Sequence, residues 1–157
     1  MINYFLVSFL AYSGLFIGMS LAFIAKEEIK PGRKYFVFLK KILLSLIIVF
    51  LFALNKLDYI IILLALAIVL VYFYKLRVNK GFKEDFLIYL IFGAIFYLSY
   101  KNTNLFVIES SLMFLYGFPT GTLLVDFKSK WRSLFEILKN IGFLIISSGL
   151  PFLFSNL

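Results

Sequence analysis

The sequence predicts an all-α, polytopic integral membrane bundle of six transmembrane helices arranged as three hairpins. The chain is 63% hydrophobic and only 15% charged, whereas soluble domains are nearer to half apolar and a quarter charged. Its apolar runs are also close to the roughly 20 residues that a helix needs to cross a bilayer. Strands of a membrane barrel would alternate apolar and polar residues, and these runs do not alternate. Lipid is therefore the predicted solvent for most of the chain.

The predicted spans belong to one transmembrane domain, residues 1–157, and occupy residues 4–25, 35–54, 59–74, 85–100, 105–125 and 134–154. The first is interpreted as a span rather than a cleaved signal peptide, because no basic residue precedes it and no small-residue cleavage pattern follows it. The second contains Lys40 and Lys41 near its start, and such stems can lie along apolar surface while their charges reach headgroups.

The remaining spans are separated by polar turns. Residues 55–58 separate the second span from the third, which is rich in Ile, Leu and Val. The fourth begins at Glu84 and Asp85, whose charges complement the positive end of a helix dipole. Residues 101–104 form the turn before the fifth span, and a basic loop precedes the sixth.

The distribution of cations predicts the orientation. Fourteen of the 16 Lys and Arg residues fall within residues 26–41, 75–83 and 128–139. Basic loops stay on the cytoplasmic side, so we predict a multi-pass protein of the cell membrane with both termini outside. The cations expected to contact anionic lipid headgroups are Lys30, Arg33, Lys34, Lys128, Lys130 and Arg132. Trp131 is a predicted interfacial anchor. A nucleic-acid partner is not expected, because no polar fold is available to carry these charges.

The composition excludes several kinds of chemistry. The chain contains no Cys and no His, which are the commonest ligands of zinc, haem and iron–sulfur centres. Ser-His and Cys-His nucleophile pairs are excluded for the same reason. We therefore predict no metal site and no cofactor.

The first span carries a face of small residues. Gly14, Gly18 and Ala22 are spaced four apart and lie on one side of a helix. This spacing allows two helix backbones to approach closely in lipid. The face serves either to form a homo-oligomer or to pack on span two, five or six of the same chain. We favour packing within the chain, because a six-span bundle needs such faces internally.

The fifth span contains Glu109, the one acid placed well inside a predicted span. At 1.5 Å per residue it lies about 8 Å below the interface, where a charge costs on the order of 2–3 kcal/mol even on lenient scales. It is interpreted either as a proton-, cation- or substrate-binding group, or as a carboxyl that hydrogen-bonds a neighbouring Tyr or Ser. A polar pocket would form if spans five and six pack, from Glu109, Ser110, Ser111, Ser147 and Ser148.

Further along the same span, Pro119 lies between Gly117 and Gly121. Proline removes one backbone donor and clashes with the carbonyl four residues earlier, so a kink or break is predicted here. The hydroxyls of Thr120 and Thr122 are expected to satisfy the freed carbonyls. Broken helices line substrate and ion sites in many transporters, although they also occur as packing kinks.

The first loop offers a second candidate site. Pro31 and Gly32 suit the central positions of a type II turn. Glu27 and Glu28 precede them and represent a conceivable pair of catalytic carboxylates at the membrane surface. A solvated turn that contacts headgroups is the interpretation we favour.

These observations do not determine one activity. The first hypothesis is a small transporter-like protein or accessory subunit with a polar site on the fifth span, working as a homo-oligomer or within a larger membrane complex. The alternative is a membrane-embedded enzyme that acts on lipid headgroups through Glu27, Glu28 or Glu109. The lack of His and of metal ligands weighs against an enzyme.

Overall fold

The computed structural model describes residues 2–54 and 84–154, and these ranges are helical without strands. The helices are α1 Ile2–Ile24, α2 Lys26–Leu54, α3 Glu84–Ser99, α4 Thr103–Leu123, α5 Lys130–Lys139 and α6 Gly142–Phe154. The predicted all-α class is confirmed for this part of the chain. The predicted third span, 59–74, the turn at 55–58 and the basic segment 75–83 lie outside the described residues.

Glycines bring α1 and α4 into backbone contact. A Cβ added to Gly14 would overlap the carbonyl oxygen of Phe114, and one added to Gly18 would overlap that of Phe118. On the opposite helix, a Cβ at Gly121 would overlap the Leu15 carbonyl. The contacts advance in the same direction on both helices, so α1 and α4 run parallel. The small-residue face, including the fully buried Ala22, therefore lies against α4 of the same chain and is not open to a second copy.

The other long helices run in the opposite direction. α2 packs along α4. Phe36 and Thr122 line the same groove, and four residues further along α2 the Lys40 Nζ lies 5.8 Å from the centre of the Tyr116 ring. α3 packs mainly on α6, and Gly93 faces Ile146 while Gly142 faces Leu90. These contacts make α3 and α6 parallel to each other. Tyr4 of α1 contacts Phe96 and Ser147, whereas Tyr12 contacts Tyr89 and Phe143, so α3 and α6, like α2, run opposite to α1 and α4.

Aromatic rings fill the space between these helices. The Tyr12 ring stacks at 6.3 Å from that of Phe143, and its hydroxyl donates to the Ile137 carbonyl at 2.8 Å. The Tyr4 hydroxyl donates to the Ser147 carbonyl at 2.9 Å. The Ser147 carbonyl lies four residues before Pro151, which has no N–H to donate, and the Ile137 carbonyl accepts the Tyr12 hydroxyl in addition to the Asn140 N–H. The two hydroxyls thus tie α1 to the last two helices. The core is therefore aromatic, and two of its tyrosines, Tyr4 and Tyr12, are hydrogen-bonded across helices.

Within the described ranges, α1 is the helix long and apolar enough to cross a bilayer. The stretch Tyr4–Ile24 has 21 residues and a mean hydropathy of 1.9. An N-terminal signal sequence or a buried core helix meets the same criterion. The apolar stretch Asp85–Ser99 of α3 is shorter. A multi-pass arrangement therefore needs support beyond helix length and hydropathy.

The predicted turn at Pro31 and Gly32 is wrong. α2 begins at Lys26 and continues through both residues, so Ala25 alone separates it from α1. Glu27 and Glu28 lie in the first turn of α2, where acids stabilise the helix dipole. Lys, Arg and Glu are also good helix formers. These preferences outweigh the single backbone hydrogen bond that Pro31 removes.

The predicted sixth span, 134–154, is divided in two. α5 ends at Lys139, and the Asn140 backbone N–H donates to the Ile137 carbonyl at 2.9 Å. The Asn140 side-chain amide donates to the Glu136 carbonyl at 3.2 Å. Asn favours such local hydrogen bonds over continuing a helix, and Gly142 follows at the start of α6. α5 buries Ser133 and Ile137 against the bundle. Its opposite face is apolar and exposed, and it carries Trp131, Phe135 and Leu138.

Candidate functional site

Glu109 lies on the face of α4 that points into the bundle. Its exposure is 0%, and the residues four positions away on either side, Leu105 and Met113, are buried with it. Neither carboxyl oxygen has a hydrogen-bond partner within the part of the chain that the structure describes. A buried carboxyl without a donor or counter-charge is costly, so its retention in the core requires a functional or conformational reason.

The structure does not assemble the predicted serine pocket around Glu109. The Ser110 and Ser111 hydroxyls both donate to the Val107 carbonyl of their own helix, and Ser111 is exposed. The Ser147 and Ser148 hydroxyls likewise donate to the Leu144 carbonyl. Such back-bonding is a common way to satisfy a hydroxyl in an apolar helix.

The pocket fails to form because of helix packing. It required α4 to lie against α6, but α6 packs mainly on α3 and α4 packs mainly on α1 and α2. No hydrogen bond joins Glu109 to the serines of α6. The sequence could place these groups at a similar depth but could not decide which helices are neighbours.

The predicted break at Pro119 is absent. α4 continues through Gly117, Pro119 and Gly121 to Leu123. The Thr120 hydroxyl donates to the Tyr116 carbonyl at 2.9 Å, and the Thr122 hydroxyl donates to the Pro119 carbonyl at 2.8 Å. The two glycines pack against the α1 backbone, and this support on both sides of the proline holds the helix together.

An ion pair that the sequence reasoning missed joins α2 and α3. The Lys40 ammonium contacts the Asp85 carboxylate, and their side chains are only 20% and 19% exposed. Lys40 Nζ also lies 5.8 Å from the centre of the Tyr116 ring, within the range of a cation–π interaction. A cation in the apolar second span indicated the need for a counter-charge, but Asp85 is 45 residues away and only the packing identifies it.

Two buried tyrosines, Tyr89 of α3 and Tyr116 of α4, lie next to this ion pair. Tyr89 is 2% exposed, and its ring centre is 6.0 Å from that of Tyr116. The Tyr89 hydroxyl is buried and completes no hydrogen bond among the described residues.

Glu109, Tyr116 and Thr120 share the buried face of α4, a set that we call the α4 polar stripe. It extends over about 16 Å at 1.5 Å per residue. The stripe begins at Glu109, whose carboxyl has no partner among the described residues, and its Tyr116 ring lies beside the Lys40–Asp85 ion pair. Polar groups therefore run along the inside of an otherwise apolar bundle.

Two of the basic segments meet at one end of the bundle. Lys26 Nζ lies 5.7 Å from the Phe127 ring centre, and Lys130 Nζ lies 5.7 Å from that of Phe23. The two rings contact each other edge to face at 6.2 Å. The predicted headgroup-contacting side chains that are exposed near this end are Arg33, Lys34, Lys128, Lys130 and Arg132, whereas the side chain of Lys30 lies outside the described part.

Asp126 organises the loop between α4 and α5. The Lys128 backbone N–H donates to its carboxylate at 2.9 Å, and Arg132 pairs with it at 3.3 Å. The hydrogen bond from Lys128, together with Arg132, lowers the pKa of Asp126. This loop is therefore held by charge-assisted contacts at the basic end.

The described residues contain no group of three His, Cys, Asp or Glu side chains close enough to hold a metal ion. Comparison with protein families, with curated proteins and with solved structures finds no match to this chain. The function must therefore be argued from the site itself.

Proposed function

We propose that the chain is a multi-pass membrane protein of the transporter or accessory-subunit class, in which Glu109 binds and releases a proton. The membrane placement is supported by the distribution of side chains. Large apolar residues on several helices are exposed, including Leu6, Phe9, Leu10, Ile91, Leu98, Val107 and Ile145. Polar residues are buried, including Ser8, Ser99, Glu109, Thr120 and Ser147. An apolar exterior around a polar interior suits lipid better than water.

Helix direction supports the same proposal. Spans one and five of the predicted topology cross in one direction, and spans two, four and six cross in the other. α1 and α4 are parallel, and α2, α3 and α6 oppose them, which agrees with that order. The cations of residues 26–34 and 128–132 lie at the end where α1 and α4 finish, the end that the positive-inside rule assigns to the cytoplasm.

The observation that carries the function is the fully buried carboxyl of Glu109, which has no hydrogen-bond partner in residues 2–54 and 84–154. A carboxylate there is shielded from solvent and has no donor among the described residues to stabilise its charge, so the neutral acid is the form that fits the closed bundle. Ionisable residues inside membrane helices commonly mark proton relays and ion paths. Opening of the bundle toward water would allow Glu109 to lose its proton, and closing would require it to regain one.

The test is proton flux in proteoliposomes, read with an entrapped pH-sensitive dye under an imposed membrane potential. We expect flux in the native chain and none in Glu109→Gln, whose side chain has a similar shape but cannot release a proton. Glu27→Gln is the matched control, because Glu27 is exposed and lies outside the α4 polar stripe. Equal flux in the native chain and Glu109→Gln would refute the proposed role.

A lipid-directed enzyme is the second candidate, and one observation favours it. Glu28 lines a groove at the basic end, where a headgroup would lie. Its neighbour Glu27 is exposed and does not line that groove, so the two carboxylates do not form a catalytic pair there. Headgroup turnover that is unchanged in the double variant Glu27→Gln/Glu28→Gln would remove both acids from consideration.

A further inference from the structure

A groove of ≈ 430 Å³ opens at the basic end of the bundle, between the end of α1, the start of α2 and the end of α4. This volume lies within the range of small-molecule sites. Its walls are largely apolar, and they include Ile29, Phe36 and Phe118. Gly32 also lines it, and a Cβ there would lie 3.5 Å from the Phe36 ring. A larger side chain at residue 32 would therefore fill the groove without displacing the backbone.

The charges around this groove are of both signs. Glu28 is the one charged residue in its lining, and it has no ion pair with a side chain that the structure describes. Lys34 Nζ lies 5.0 Å from the ring centre of Tyr35, which lines the groove. Lys26 follows the lining residue Ala25 in sequence, but its ammonium lies over the Phe127 ring, outside the lining. The groove thus combines apolar walls, one carboxylate and one cation, Lys34, beside its lining.

We propose that this groove binds an aminophospholipid, a lipid whose headgroup carries both a phosphate and a primary ammonium. The alkyl chain would lie against Ile29, Phe36 and Phe118, the ammonium would donate to the Glu28 carboxylate, and the phosphate would lie beside Lys34. Hydrogen bonds between charged groups are stronger than those between neutral groups, so a primary ammonium with three N–H donors suits Glu28. A choline headgroup has no N–H donor, and a glycerol headgroup has no positive charge. This proposal rests on the membrane placement argued above.

Native mass spectrometry provides the test. The delipidated protein is mixed with equal amounts of phosphatidylethanolamine, phosphatidylcholine and phosphatidylglycerol, and the retained lipid is identified. We expect the ethanolamine lipid to be retained most. Glu28→Gln should reduce that preference about two- to fivefold, as expected for the loss of a solvent-accessible ion pair. Glu27→Gln, one residue away and exposed, should leave it unchanged.

A second pair of variants tests the groove itself. Gly32→Leu should lower retention of all three lipids by filling the groove. The control is Gly149→Leu, because a Cβ at that position meets no atom of the described residues within 4 Å. The proposal is overturned if Glu28→Gln keeps the ethanolamine preference or if the glycerol lipid is retained most. It is also overturned if Gly32→Leu changes the oligomeric state but not lipid retention, since a second copy would then be the occupant.

The outcome is separable from the role of Glu109. Modification of Glu109 by a hydrophobic carbodiimide, followed by mass spectrometry, should be the same in the native chain, Glu28→Gln and Gly32→Leu. Lipid preference should conversely survive Glu109→Gln. Failure of one proposal therefore leaves the other standing on its own measurement.

Discussion

Replacement of Glu109 by methionine should stabilise the bundle while abolishing proton flux. Glu109 is fully buried, and both of its carboxyl oxygens lack a hydrogen-bond partner among the described residues. An unsatisfied buried polar group costs about 1–3 kcal/mol. Methionine is unbranched, adapts to irregular space and has a helix propensity close to that of glutamate. Removal of the polar group should therefore raise the free energy of unfolding by about 1–2 kcal/mol, after a small repacking cost.

The assay is reversible unfolding in mixed micelles, followed by circular dichroism as the fraction of denaturing detergent increases. Glu136→Met is the matched control. Glu136 pairs with Lys139 through Oε1 at 3.1 Å, while its Oε2 is buried without a hydrogen-bond partner among the described residues, so its removal also deletes an interaction and should give a smaller gain than removal of Glu109. A Glu109→Met variant that is less stable than the native chain would show that the carboxyl has a stabilising partner, and the argument for a proton-binding group would fail. Stability gained together with flux lost is the pattern expected of a functional residue.

Three further predictions concern packing and topology. Gly121→Leu should destabilise the fold by about 1–3 kcal/mol or more, because its side chain would overlap the Leu15 carbonyl, whereas Gly149→Leu should not; equal unfolding midpoints would contradict the α1–α4 contact. Lys40→Met should destabilise the fold by about 1–3 kcal/mol, because it leaves Asp85 without its partner. Asp85→Asn in the same chain should recover part of that loss. If the two changes are simply additive in free energy of unfolding, the pairing is contradicted. The chain has no native Cys, so Arg33→Cys should react with an impermeant maleimide only after the membrane is permeabilised; labelling of intact cells would reverse the predicted orientation.

Most helix positions were predictable because they depend on local composition. The predicted spans 4–25, 85–100 and 105–125 correspond to the helices Ile2–Ile24, Glu84–Ser99 and Thr103–Leu123, with ends that differ by no more than two residues. Apolar runs of this length form helices in almost any apolar surrounding. The same local information also indicated the small-residue face of α1.

The errors occurred where a local preference was overruled. Pro31 and Gly32 favour a turn in isolation, yet the charged residues around them extend α2 from Lys26. Pro119 favours a break, yet Gly117 and Gly121 pack α4 against α1 on both sides of it. In the opposite sense, Asn140 ends α5 within an apolar stretch that hydropathy alone interprets as continuous. Each outcome depends on competing hydrogen bonds and contacts, which a hydropathy profile does not contain.

The sequence by itself determined that the chain is helical, where its apolar segments lie, and that Glu109 is an acid in an apolar helix. Only the tertiary structure decided that Gly14 and Gly18 meet α4, that Lys40 pairs with Asp85, and that Glu109 has no partner in the described bundle. The physical reason is a difference in range. Solvent preference and helix propensity belong to a local stretch of chain, whereas the partner of a buried charge is set by which distant helices pack side by side.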